Sequence, residues 1–209
     1  MEGLRQRKRQ RTRREIAGAA LRLFAERGFD HTTISDIAEA AEVSRRTFFA
    51  YFPSKEDVVF WDFDHRLASF QNALKHRSAR QSVLSVLREW LLLEVQTEPL
   101  DIDRERLEAR LIAEVPTVAA RALQLYDRIE DLLAGALAAE MGAGVGPFVP
   151  RMAAAAATAW LRTLGRMVGE VDRDPALDDQ LRKDPLGLAN PAFEFLEAGL
   201  AAVRRNRGT

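Results

Sequence analysis

Apolar residues recur every three or four positions along most of this chain, and no segment alternates apolar and polar residues. This spacing is typical of amphipathic α-helices, whereas strict alternation would indicate strands. The pattern therefore predicts an all-α fold of about nine helices. The helices are predicted over residues 12–27, 34–41, 45–50, 54–75, 78–96, 103–114, 117–141, 150–171 and 192–205.

Two short helices joined by a tight turn are predicted between residues 33 and 55. Thr33 can cap the first helix, with Asp36 three residues later in the capping-box position, and Ser44 can cap the second. Phe48 and Phe52 lie four residues apart, so they share one helix face and should anchor the second helix to its own core. This is the pattern of a helix-turn-helix, which favours DNA binding.

The second of these helices begins with basic and hydroxyl side chains, at the end where a recognition helix meets base edges and phosphates. The residues predicted to read base edges are Arg45, Arg46 and Phe49. The residues predicted to contact phosphates, which set the register without reading sequence, are Thr33, Ser44, Thr47, Tyr51 and Lys55.

The stretch resembles the DNA-binding domain of the tetracycline-repressor (TetR) family of bacterial regulators. The matching positions are Thr33, Ile37, Ala38, Ala41, Val43, Ser44, Thr47, Phe48, Phe49, Tyr51, Phe52 and Lys55. Glu42 and Arg46 stand where the family usually or commonly has glycine. If the turn needs a positive φ at Glu42, that residue carries a strain of about 1 kcal/mol. The resemblance implies a DNA-binding domain over residues 1–53 and a helical sensing and dimerisation domain over residues 54–209.

The formal net charge is zero, but the charges are unevenly distributed. The first fourteen residues hold seven basic side chains and one acid, which suits contact with phosphates or a minor groove. A solvated, disordered tail is the alternative. The chain has no cysteine and no apolar run of about 18 residues, so we expect a soluble, cytoplasmic protein without disulfides or a membrane partner.

The sequence is poor in groups that could carry catalysis. It has three scattered histidines and no HExxH or glycine-rich phosphate loop, so it is predicted not to be an enzyme. Asp62, Asp64 and His65 lie near one another, but no second histidine falls within a turn of them. We therefore predict no metal and no cofactor.

Large aromatic residues in the second part of the chain favour a sensor, although each of them could simply belong to the core. The TetR resemblance implies a ligand cavity among the middle helices. A finer resemblance, carried by residues 43–62 and by Arg110, Pro116 and Arg121, points to actinobacterial regulators associated with acyl-CoA-like ligands. The predicted ligand-binding residues are Trp61, Phe70, Trp90, Arg110 and Trp160.

A coenzyme A head would also need cations for its phosphates. The arginines available around the middle helices are Arg104, Arg106, Arg110, Arg121 and Arg128. Alternatively, they pair on a solvated surface with the nearby carboxylates Glu105, Glu108, Glu114 and Asp127.

A homodimer is predicted through the helices at 150–171 and 192–205, which would place two heads on a palindromic operator. The small residues expected to allow close approach are Ala153, Ala157, Gly165 and Gly169. An alanine-rich helix could instead pack only within its own subunit. The sequence thus predicts a ligand-responsive regulator, most simply a repressor released by a small apolar effector such as an acyl-CoA. A ligand-independent dimeric DNA-organising or interaction protein is the alternative.

Overall fold

A computed structural model of the chain describes residues 2–97, 101–142, 146–170 and 190–205, with single residues at 179, 183, 184 and 187. Within these residues there is no strand, and ten helices have defined ends, so the all-α prediction is confirmed. The helices are α1 (Glu2–Arg27), α2 (Ile34–Ala40), α3 (Arg45–Tyr51), α4 (Glu56–Val59), α5 (Phe63–Lys75), α6 (Val83–Thr97), α7 (Ile102–Glu114), α8 (Pro116–Met141), α9 (Phe148–Glu170) and α10 (Asn190–Arg205).

The single helix predicted over residues 54–75 is wrong, because the chain forms two helices there, α4 and α5. Phe60 leaves the helical region at φ −102° and ψ 36°, and the backbone N–H of Phe63 donates to its carbonyl at 3.1 Å. The apolar spacing runs on through this turn, since the side chain of Phe60 is itself buried. The periodicity of the sequence therefore carries no sign of the break.

Two other helix starts differ from the predicted ones. The basic arm continues α1 back to Glu2, and α6 begins at Val83 after a turn at Ser78 whose backbone N–H donates to the Gln81 side chain. The remaining ends agree within about two residues, the usual scatter of helix ends. Most of the predicted acidic loop at 172–191 and residues 143–145 of the predicted connector lie outside the described residues.

The chain divides into two compact units. The head unit comprises Met1–Asp64 with Leu107–Leu123, and the core unit comprises His65–Arg106 with Gln124–Thr209. This division follows spatial compactness, whereas the predicted boundary between residues 53 and 54 separates functions, and that boundary stays a prediction.

The head unit is built around buried aromatic and aliphatic side chains. Helix α1 packs against α2 and α4, and α2 packs against α3. Phe48 and Phe52 are completely buried, with ring centroids 5.8 Å apart, so their predicted role as the anchor of α3 is confirmed. Burying each such ring contributes about 1.5–3 kcal/mol, enough to hold a seven-residue helix that would not be stable alone.

The core unit has its own apolar cluster, contributed by α5, α6, α8, α9 and α10. Its most buried members are Val83, Leu84, Leu87, Leu133, Leu137, Ala154, Ala157 and Phe193. Helix α10 packs against both α6 and α9, and Trp90 and Trp160 lie partly buried against the cluster.

Candidate nucleic-acid interface and sensing core

The helix-turn-helix is held by the two predicted caps. The backbone N–H of Thr33 donates to Asp36 Oδ2 at 2.8 Å, and that of Asp36 donates to Thr33 Oγ1 at 3.2 Å. The Thr33 hydroxyl also donates to this carboxylate, and these bonds lower the pKa of Asp36. Ser44 Oγ accepts from the backbone N–H of Thr47 at 3.0 Å. Two predicted phosphate contacts, Thr33 and Ser44, therefore cap α2 and α3, and their assignment to phosphates stays a prediction.

The turn between α2 and α3 contains a non-glycine residue at positive φ. Glu42 has φ 53°, and the backbone N–H groups of Glu42 and Val43 donate to the carbonyls of Glu39 and Ala38 at 3.0 and 2.9 Å. This pair of bonds is the Schellman motif, whose left-handed position usually belongs to glycine. The geometry that makes Glu42 costly is therefore present, as expected from its sequence position.

The outward side of α3 carries all three predicted base readers. Arg45 and Arg46 are exposed, and Phe49 keeps 48% of its surface accessible. The Phe49 ring stands edge-on to buried Phe48 at 5.6 Å, so α3 separates an outward phenylalanine from an inward one within two consecutive residues. Helical spacing places these residues on one face, where they can enter a groove together.

Arg13 is a structural residue of the head that the sequence analysis did not distinguish from the basic arm. Its Nη1 donates to the carbonyl of Tyr51 and its Nε to the carbonyl of Trp61, both at 2.8 Å. The guanidinium lies 4.4 Å from the centre of the Phe52 ring, and burial lowers the pKa of Arg13. Arg13 thus ties α1 to the end of α3 and to the segment after α4.

Lys55 is half-buried and likewise contacts backbone. Its Nζ donates to the carbonyls of Phe29 at 2.8 Å and Thr32 at 3.3 Å and lies 4.2 Å from the centre of the Phe29 ring. These bonds position the segment before α2, and a phosphate would have to compete with them. The nearby Tyr51, a predicted phosphate contact, is half-buried with the Arg9 guanidinium 5.9 Å from its ring centre.

The predicted ligand-binding residues fall in both units. Trp61 and Arg110 belong to the head unit, where Trp61 is half-buried with the Arg14 guanidinium 5.6 Å from its ring and Arg110 is exposed. In the core unit, Phe70 packs on Trp90 at 5.1 Å and Trp160 on Phe193 at 4.7 Å. The structure brings Phe70 and Trp90 together, but it shows these aromatic rings as members of the core.

Trp90 is further oriented by a small polar network. Its indole N–H donates to Ser69 Oγ at 3.1 Å, and that hydroxyl donates to Glu94 Oε1 at 3.4 Å. The Arg66 Nε–H lies 3.6 Å from Glu94, with its guanidinium 6.0 Å from the Trp90 ring centre.

Several of the arginines considered for a coenzyme A head pair with carboxylates. Within the core unit, Arg104 lies 3.5 Å from Glu105, in a pair that is part-buried rather than on a solvated surface, and Arg106 lies 3.6 Å from Asp103. Within the head unit, Arg121 of α8 forms a 2.7 Å ion pair with Asp57 of α4.

A second polar contact accompanies the Arg121–Asp57 pair. Burial alone would raise the pKa of Glu56, but hydrogen bonds from its own backbone N–H, Ser54 and Thr117 outweigh burial and lower it. The first turns of α8 are therefore tied to α4 by two polar contacts that the sequence did not indicate.

Small residues of α9 that were predicted at a dimer interface contact helices of their own subunit, and the interface itself stays a prediction. Ala157 is completely buried in the core cluster, Ala153 packs against that cluster, and Gly165 faces the Tyr126 hydroxyl of the same subunit. Ala156 and Ala159 of α9 remain exposed. The larger apolar side chains Phe148, Met152 and Phe195 of α9 and α10 are also exposed, each more than half accessible. Gly169 lies among residues whose side-chain surroundings are not described.

Neither a metal cluster nor a membrane helix is found in the described part of the chain. Its His, Asp and Glu side chains form no group of three or more that could hold a metal ion. No helix in it combines the length and the apolarity needed to cross a bilayer.

Comparison with known proteins places this geometry in a family. Residues 16–60 match the family described as "Bacterial regulatory proteins, tetR family", and residues 81–200 match the "MftR C-terminal domain". The putative mycofactocin biosynthesis transcriptional regulator MftR of Mycobacterium tuberculosis is 31% identical over 71% of this chain and 75% of its own length. The regulator TcmR of Streptomyces glaucescens is 35% identical over 79% of this chain and 75% of its own length.

A solved structure of a TetR-family repressor is similar to this chain. Thermus thermophilus FadR, a TetR-family transcriptional repressor in complex with lauroyl-CoA, is 26% identical with a TM-score of 0.50. The alignment covers 82% of this chain and 90% of FadR. Together with a helix-turn-helix that turns two arginines outward, these likenesses define a ligand-responsive, DNA-binding transcriptional regulator. The chain belongs to the tetR family of bacterial regulatory proteins and carries the MftR C-terminal domain, which confirms the resemblance drawn from the sequence.

Proposed function

We propose that this protein is a cytoplasmic, homodimeric repressor whose two heads bind a palindromic operator and release it when an acyl-CoA-like molecule binds. No catalytic step is part of this proposal. The observation that carries the DNA-binding part is the polarity of α3, with Phe48 buried and Arg45, Arg46 and Phe49 turned outward. Arg45, Arg46 and Phe49 read base edges, and the hydroxyls of Thr33, Ser44, Thr47 and Tyr51 contact phosphates.

The DNA-binding part is tested on the operator itself. Selection of bound genomic fragments yields the operator and its neighbouring genes, and Arg46→Ala is then compared with wild type on the selected site and its single-base variants. We expect the variant to lose about 1–3 kcal/mol on the selected site and to relax preference at one base pair per half-site. Arg88→Ala removes an equally exposed arginine from α6 and should change neither quantity. Unchanged selectivity in Arg46→Ala contradicts the base-reading role.

The ligand part is supported by the aromatic side chains of the core unit and by the lauroyl-CoA complex of FadR. To move the operator equilibrium from 1:99 to 99:1, the effector must favour the released state by about 5.5 kcal/mol. The test is titration of the operator complex with acyl-CoAs of increasing chain length. Release should strengthen with chain length, because each buried CH₂ contributes about 0.8 kcal/mol. If release does not depend on chain length, the effector is not an acyl-CoA. If no small molecule causes release, the ligand-independent alternative is favoured.

The dimer part is supported by the exposed apolar side chains of α9 and α10. Phe148, Met152 and Phe195 are the type of residue that interfaces bury. Phe195→Glu should shift sedimentation at micromolar concentration from dimer to monomer and weaken operator binding. Leu93→Glu places the same charge on an exposed leucine of α6 and should leave the dimer intact. A wild-type monomer at micromolar concentration would contradict the dimer and the two-headed DNA complex.

A further inference from the structure

One hydroxyl group in the core unit is buried without a partner. Thr158 lies in α9 with 3% of its surface accessible, and among the described residues its Oγ1 has no hydrogen-bond partner. A helical threonine can donate to the carbonyl four residues earlier. Thr163 of the same helix does so, donating to the Ala159 carbonyl at 2.9 Å. Thr158 therefore lacks the backbone hydrogen bond that Thr163 makes.

The apolar surroundings of Thr158 make its unpartnered hydroxyl destabilising. Ala154, one turn before Thr158, is completely buried in the apolar cluster with Leu133 and Leu137. A buried hydroxyl without a partner costs about 1–3 kcal/mol, whereas valine has nearly the same shape and no polar atom. A buried polar group without a partner is a departure from normal core packing, and such departures are expected at functional sites.

Further polar groups lie along the same face of α9. Arg162 is four residues after Thr158, and its guanidinium lies 5.6 Å from the centre of the Tyr126 ring on α8. Gly165 is seven residues after Thr158, and among the described residues a methyl group placed on it would meet the Tyr126 hydroxyl alone, at 3.9 Å. Along this face of α9, buried Ala154 is followed by the unpartnered hydroxyl of Thr158 and then by Gly165, which has room for added atoms beside Tyr126.

We propose that the Thr158 hydroxyl donates a hydrogen bond to a carbonyl oxygen of the effector, with the effector's apolar part against the cluster around Ala154. This inference rests on the proposed ligand-responsive function and narrows the ligand to a molecule that joins a carbonyl group to an apolar chain. In an acyl-CoA that group is the thioester carbonyl. Thr158 then distinguishes such a ligand from a hydrocarbon of equal length.

The first test needs no ligand. Thr158→Val should be at least as resistant to urea as wild type, because it removes an unpartnered hydroxyl and keeps the shape. Thr163→Val is the matched control on the same helix, where the hydroxyl makes its backbone bond in an exposed position. A lower urea midpoint for Thr158→Val would show that the hydroxyl stabilises the fold through an internal partner, and would overturn the inference.

The second test removes the carbonyl from the ligand. Binding of lauroyl-CoA is compared with binding of S-dodecyl-CoA, a thioether, and binding of decan-2-one with binding of decane. The carbonyl preference is the affinity for the carbonyl compound divided by the affinity for its partner without the carbonyl. This ratio should be similar in wild type and Thr158→Ser and roughly tenfold lower in Thr158→Val. The second pair carries the same chemical difference without coenzyme A.

The outcomes separate this inference from the proposed function. If lauroyl-CoA releases the operator and Thr158→Val keeps the full carbonyl preference, the Thr158 inference is wrong and the effector stands. If lauroyl-CoA does nothing but the affinity ratio of decan-2-one to decane falls roughly tenfold in Thr158→Val, the inference stands and the acyl-CoA effector falls. Failure of wild type to bind any of the four compounds overturns both.

Discussion

The head unit and the core unit both bury apolar side chains, but they differ in the polar contacts that accompany them. In the head, Arg13 and Lys55 donate to backbone carbonyls of other segments, and the caps of Thr33 and Ser44 define where α2 and α3 begin. In the core unit, an apolar cluster dominates, with polar contacts at its margins. Glu140 illustrates them, because its Oε2 accepts from Arg77 Nη1 at 2.8 Å and from the Val83 backbone N–H at 2.6 Å.

This difference matches what each unit is proposed to do. Base edges must be met in a fixed register, so the backbone around α3 benefits from directional bonds that hold segments at set distances. An apolar ligand must be accommodated, and nondirectional packing tolerates rearrangement while keeping most of its energy. The head is thus suited to reading DNA and the core unit to responding to a ligand.

The largest effect is expected when the buried and the exposed phenylalanine of α3 are each replaced by alanine. Phe48→Ala should lower the free energy of unfolding by about 3–5 kcal/mol, because it empties a fully buried site. Phe49→Ala should stay within about 0.5 kcal/mol of wild type, because the ring is half exposed, yet it should lose operator selectivity. Urea unfolding and operator binding measure the pair. Equal destabilisation by both substitutions would break the distinction between anchor and reader.

The next largest effect concerns Arg13. Arg13→Ala should lower the free energy of unfolding by about 2–3 kcal/mol, because two carbonyls lose a charged donor. Arg11→Ala is the control, since Arg11 is mostly exposed and pairs with Glu15 in the next turn. Urea unfolding at fixed salt measures both. Normal stability combined with a smaller salt dependence of DNA binding would instead make Arg13 a phosphate contact.

Lys55 distinguishes an internal bond from a phosphate contact directly. Lys55→Met should cost about 1–2 kcal/mol of stability through the lost bonds to the Phe29 and Thr32 carbonyls. The slope of log affinity against log salt should stay at its wild-type value. If the slope falls by about 0.9 while stability is unchanged, the original phosphate prediction is correct and the internal role is wrong.

The smallest effect is expected at the turn. Glu42→Gly should raise the free energy of unfolding by up to about 1 kcal/mol, because glycine adopts the positive φ without strain. Glu39→Gly makes the same change inside α2 and should lower stability by about 1 kcal/mol. Thermal unfolding of the two variants should therefore shift in opposite directions. A destabilised Glu42→Gly would show that the carboxylate makes a contact worth more than the strain.

The sequence by itself determined the features that depend on near neighbours. Helical periodicity, the capping box of Thr33 and Asp36, the Ser44 cap and the inward face of Phe48 and Phe52 all follow from spacings of three or four residues. The strained geometry of Glu42 was visible because a Schellman turn needs a positive φ at a defined offset.

Only the tertiary structure decided features that depend on distant backbone or on which face meets which neighbour. The acceptors of Arg13 and Lys55 are carbonyls, which every residue possesses, so no residue type marks them in the sequence. The break after α4 preserves the apolar spacing and is therefore invisible to periodicity. The inward direction of Ala157 and Gly165 and the unpartnered hydroxyl of Thr158 depend on how α9 is rotated about its axis. Composition alone favours no one of these orientations. The rotation of α9 is set instead by its packing against other helices.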